Sequence, residues 1–143
     1  MPNVFISYSR DNVIFAEQLA DALKAAYGND QVWYDQALHV GEVWWREILA
    51  RIAWADVFIF LISARSMGSP FCTAEYQEAQ RLQRPVLGVL VQRRFTVKGD
   101  LAARQYIDLS GGLRDVDSYM LLLNSINRFA AASKPPPLHD TPT

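Results

Sequence analysis

The chain has 143 residues, half of them hydrophobic, which suffices for one good core and leaves no room for two. Fourteen basic and fifteen acidic side chains give a formal charge of −1, and no basic stripe interleaved with aromatics is present, so nucleic-acid binding has no electrostatic support. The single cysteine, Cys72, excludes an internal disulfide; no apolar run reaches transmembrane length and the start carries no basic n-region, so a cytoplasmic setting without a membrane partner is expected.

Asn3 to Ser7 is a short apolar run ending in a small polar residue, and Phe15, Leu19 and Leu23 follow at four-residue spacing. This predicts a strand and then a helix capped near Asp11 and closed by Gly28. Gln31 to Tyr34 reads as a second strand, and Asp35 to Glu42, polar and containing Gly41, as a loop. Trp44, Ile48 and Ile52 mark a helix face. Asp56 to Ser63 is nearly all apolar, as befits a strand covered on both sides.

Ser69-Pro70 reads as an N-cap and first helical position, opening a helix that runs to about Gln83, before Pro85. At roughly 100° per residue Glu75 falls inside the apolar stripe formed by Phe71, Cys72, Ala79 and Leu82. An ionised carboxylate there needs a cleft or a donor. Pro85 to Val91 predicts a fourth buried strand with Gly88 inside it, residues 93–104 an irregular stretch, Tyr106 to Leu109 an edge strand, and Val116 to Ala132 a final helix. Alternation at this spacing implies a parallel sheet with helices on both faces and a ligand crevice beyond the carboxyl ends of the strands. Residues 1–133 form one domain; residues 134–143, Lys-Pro-Pro-Pro-Leu-His-Asp-Thr-Pro-Thr, read as a Pro-rich linker or tail to a longer protein.

Val4-Phe5-Ile6-Ser7-Tyr8-Ser9-Arg10-Asp11 resembles the opening box of TIR (Toll/interleukin receptor) domains. Asp35, Leu38, Gly41 and Trp44 resemble their BB loop and the helix after it, and Ile59 to Ser63 with Ser66, Ser69, Phe71, Cys72 and Glu75 resembles the segment ending in the catalytic glutamate of bacterial NAD-cleaving members. The likeness runs from about Asn3 to Leu90. Phe71 stands where those enzymes usually carry Trp, and phenylalanine lacks the indole N–H.

The resemblance implies a flavodoxin-like doubly wound sheet of about five parallel strands. It implies NAD+ as substrate rather than cofactor, nicotinamide release, activation by self-association through TIR–TIR contacts, and a role in signalling or bacterial defence. Glu75 would stabilise the ribosyl cation and Phe71 shape the nicotinamide or ribose side. Tyr8 and Arg10 would meet ribose or phosphates, and Leu38 and Trp44 would line or gate the cleft. A toxic NADase needs control, expected from a sensor domain joined through the tail or from a separate activator. The rival readings are a non-catalytic TIR adaptor and a nucleoside deoxyribosyltransferase-like enzyme.

Bland readings stand beside these: Glu75 as a core carboxylate paired with an arginine, Phe71 and Trp44 as core aromatics, Arg10 as a solvated cation. Cys72 is expected to be a buried small residue, since His39 and His139 sit at no recognisable spacing from it. No cluster has metal-ligand spacing, and no glycine-rich phosphate loop follows the first strand.

Overall fold

The computed structural model describes residues 1–35 and 42–133, apart from the side chains of residues 42, 43 and 133. Leu38, Gly41 and the Pro-rich tail therefore lie outside the described residues. Five parallel strands, β1 (Val4–Ser7), β2 (Val32–Tyr34), β3 (Val57–Ile62), β4 (Val86–Leu90) and β5 (Tyr106–Asp108), form one sheet in the order β2-β1-β3-β4-β5. This is the doubly wound, flavodoxin-like α/β arrangement. The three inner strands are buried at every residue, which explains their uninterrupted apolar runs, whereas only Ile107 of β5 is buried, as fits an edge.

Helices α1 (Val13–Tyr27) and α6 (Val116–Ser133) cover one face, laying Leu19, Leu23, Leu122 and Ile126 against Ile6, Ile59, Leu61 and Val89. Helices α2 (Glu42–Trp54) and α4 (Pro70–Arg81), with the short α5 (Asp100–Ala103), cover the other, where Ile48, Ile52, Cys72, Ala79 and Leu101 meet Phe5, Phe58, Phe60 and Ile62. Side chains alternate across a strand, so Phe5 and Ser7 share the α2/α4 face and Val4 and Ile6 the other.

Four details differ from what the sequence predicts. Helix α4 ends at Arg81 because Gln83 takes φ 58°, a left-handed conformation that cannot continue it. Ser63 does not extend β3 but caps a one-turn helix, α3 (Ala64–Met67), through a reciprocal capping box with Ser66. Within the stretch read as irregular, Asp100–Ala103 makes one helical turn. The first helix begins at Val13, after a 3-10 turn spanning Arg10–Asn12.

Candidate functional site

At the carboxyl edge of the sheet, Ser69 accepts a hydrogen bond from the backbone N–H of Cys72 at 3.2 Å, and Pro70 occupies the first helical position, where a missing N–H costs nothing. With that start fixed, the helical period turns Cys72, Glu75 and Ala79 onto the sheet. Glu75 is 7% exposed. The group it meets is Ser7, the last residue of β1 and itself 1% exposed, whose hydroxyl donates to Glu75 Oε1 at 2.7 Å.

Among the described residues, the enclosed side-chain atoms that lack a partner are Trp44 Nε1, Tyr76 Oη and Arg84 Nε. No ion pair to Glu75 is found among the described residues. The core arginine partner weighed for it is therefore replaced by a neutral hydroxyl. Burial pushes the Glu75 carboxyl up to about 7; the Ser7 hydrogen bond works against that rise, and the charge of Asp35 adds to it. Burial likewise raises the Cys72 thiol, with the Ser69 hydrogen bond opposing it. Cys72 is an enclosed thiol rather than a nucleophile poised for attack.

One turn before Glu75, Phe71 projects outward and is 48% exposed. Trp44 meets its ring edge-on, centroids 4.9 Å apart at 66°, and Trp45 does so at 5.7 Å and 64°. Helix α2 thus brings two indoles to the single phenyl ring of α4. The indole N–H of Trp44 is buried without a partner beside it.

Of the residues singled out from the sequence, Glu75, Phe71 and Trp44 come together. Tyr8 goes to the opposite face, packing near Tyr34 at 5.9 Å between centroids, and its hydroxyl donates to the Asp35 carbonyl. It ties the end of β1 to the start of the loop after β2. Burial, and then the charge of Asp35, raise its pKa to about 12. Arg10 lies exposed in the 3-10 turn after β1; the ion pair nearby is instead Arg65 with Asp11 at 3.1 Å, an exposed contact worth little. Leu38 lies outside the described residues.

Two site residues were not anticipated from the sequence. Ser7 could have been found from the strand period, since it follows Phe5 by two. Trp45 carries no such signal, because its helix position alone does not show which neighbour it meets. Asn12 adds a further tie: its Oδ1 accepts from Ser9 at 3.1 Å and from Ser63 at 2.8 Å, holding the loops after β1 and β3 side by side.

Among the described residues, no group of three or more His, Cys, Asp or Glu side chains could hold a metal ion, and no helix is long and apolar enough to cross a membrane. The arrangement is a carboxylate held at Oε1 by a neutral hydroxyl, one helical turn from an aromatic cluster of Phe71, Trp44 and Trp45, at the carboxyl edge of a doubly wound sheet.

That arrangement places the chain among flavodoxin-like α/β domains. The chain belongs to the TIR domain family, whose model matches residues 4–123. Its fold is similar to that of the TIR domain of a Toll-related receptor from the lower metazoan Hydra magnipapillata, at 17% identity, over 92% of this chain and 99% of that one, with a TM-score of 0.69. No match was found among curated proteins.

Proposed function

We propose that this TIR domain cleaves NAD+ at the bond between nicotinamide and ribose, releasing nicotinamide and ADP-ribose or a cyclic variant of it. The observation that carries the reading is Glu75: a carboxylate enclosed on an apolar helix face, held by one hydroxyl and without a cationic partner among the described residues. A buried acid left without a countercharge is costly, and such acids cluster where a positive charge must be met.

Ordinary glycosidases use two carboxyl groups because the departing alkoxide needs a proton. In NAD+ the leaving group is a pyridinium. The electron pair of the breaking C–N bond neutralises the ring nitrogen, so nicotinamide leaves without protonation and no acid is required. What remains is an oxocarbenium-like ribose, which an adjacent carboxylate stabilises electrostatically before water, or a nucleophile within the same molecule, captures it. Phe71, Trp44 and Trp45 offer aromatic faces and edges against which a cationic ring can lie. Loss of NAD+ and appearance of nicotinamide, followed with wild-type protein and Glu75→Gln, test the proposal. Equal rates in the two would sink it.

The second reading is a TIR–TIR interaction module without turnover. It is favoured by the exposed apolar side chains at the rim, Ile14 at 68%, Phe71 at 48% and Met67 at 37%, which suit a contact with another copy of the domain. The two readings are compatible if self-association completes the crevice. Activity that rises more than linearly with protein concentration would join them; full activity in dilute monomer would separate them.

A further inference from the structure

We propose that Ser7 is a positioning residue for Glu75: its hydroxyl pins Oε1 in the acceptor geometry of an ionised carboxylate and so fixes the direction in which the carboxylate is presented. The role in turnover rests on the NAD-cleaving reading; the hydrogen bond and its effect on the carboxyl do not.

The geometry is specific. Ser7 and Glu75 are 1% and 7% exposed, so water does not compete freely for either, and the 2.7 Å separation is that of a well-formed O–H···O bond, one that a carboxylate accepts as readily as a carboxylic acid. A serine hydroxyl can donate to an ionised carboxylate at no electrostatic cost, whereas a lysine or arginine in its place would neutralise the charge that the reaction needs. A hydroxyl therefore orients the acid and keeps it anionic without cancelling it.

The surroundings make this donor matter. Among the described residues, the titratable groups that bear on Glu75 are Tyr8 just after β1, Asp35 beyond β2 and Cys72 on α4 itself, and none of them is a cation. Desolvation and Asp35 both favour the protonated acid, and among the described residues the Ser7 hydrogen bond opposes them. Without it the carboxyl would be largely neutral near pH 7 and free to rotate. Position along β1 is equally constrained, because only the residue two beyond Phe5 reaches the α4 face at the strand's end.

The test is a carbon-13 NMR titration of the Glu75 side-chain carboxyl, assigned with Glu75→Gln, in wild type, Ser7→Ala and Ser63→Ala. Ser63 is an equally enclosed serine, 3% exposed, at the end of the neighbouring strand, and it bonds Asn12 and Ser66 rather than Glu75. Ser7→Ala is expected to raise the midpoint by about one unit, the size of a hydrogen bond to a charged group, while Ser63→Ala leaves it in place. Should Ser7→Ala not fold, Ser7→Cys, which keeps the volume and weakens the donor, serves in the same comparison.

In turnover, the acid limb of the NAD-cleavage profile should move upward with the midpoint, costing about fivefold at pH 7 and little at pH 9. A midpoint unchanged by losing the Ser7 hydroxyl, or displaced as far by Ser63→Ala, overturns the assignment. Because the titration is read without NAD+, it decides the matter whether or not the chain cleaves that substrate.

Discussion

Trp44 and Phe71 meet edge to face, with ring centroids 4.9 Å apart and planes at 66°, so helices α2 and α4 are joined by an aromatic pair one turn before Glu75. Trp45 reaches the same ring from 5.7 Å. Phe71 is nevertheless half exposed, which separates its contribution to the site from its contribution to the core.

Phe71→Ala should therefore lower NAD cleavage by on the order of tenfold, the scale of one aromatic contact, with a much smaller effect on thermal stability. Trp44→Ala removes a more enclosed ring and should lower both. Steady-state kinetics alongside thermal melts distinguish the two; a Phe71→Ala protein with full activity would return that residue to mere packing.

The Glu75 carboxyl predicts opposite pH trends for stability and for activity. Its pKa is raised from 4.5 to about 7 in the folded protein, chiefly by burial, so between these values the native state binds more protons than the unfolded chain. Stability then falls as pH rises through that window, by about 3 kcal/mol in total, and the loss is complete above pH 7. Glu75→Gln should remove the trend, matching wild type near pH 4 and exceeding it at pH 8 in denaturant unfolding. NAD cleavage should rise across the upper part of the same window as the acid ionises. An enzyme fastest at pH 5 would contradict this.

Ser69→Ala should cost about 1 kcal/mol, because its side chain accepts the Cys72 N–H at the start of α4. The helix that loses its cap carries Phe71 and Glu75 within its first six residues, so activity should fall beyond what the loss of folded protein explains. Urea unfolding and activity per folded molecule check the two parts separately.

Gly88 sits in β4 where an added Cβ would lie 2.8 Å from Ile62 Cδ1 and 3.3 Å from Tyr106 Cβ. Gly88→Ala should destabilise by about 1–3 kcal/mol through overpacking. Ile62→Val deletes the nearer atom, so the double variant should recover part of the loss. Additive effects in a double-mutant cycle would show that the clash lies elsewhere.

Much of the architecture was legible in the residues because it is written in local periods. The unbroken apolar runs of β3 and β4 and the four-residue spacing in α1 do not depend on distant partners, and Ser69-Pro70 marks the start of α4 by itself. Helix ends were less legible: whether Gln83 adopts a left-handed φ, or Ser63 prolongs a strand or caps a turn, depends on competing local hydrogen bonds of similar energy. The candidate site divides the same way. Glu75 on an apolar stripe was visible from helix geometry, whereas the packing of Tyr8 on the other face, bonding the Asp35 carbonyl, was not visible from its place in a motif.

What the sequence alone determined is that a carboxylate faces the core one turn after an aromatic, since 3.6 residues per turn is a property of the helix by itself. Only the tertiary structure decided that Ser7, 68 residues away, would be its donor and that two indoles from α2 would close on Phe71. Strand and helix each fix which way their own side chains point, but the relative height of the two elements is set when their apolar faces interlock, and no local pattern encodes it.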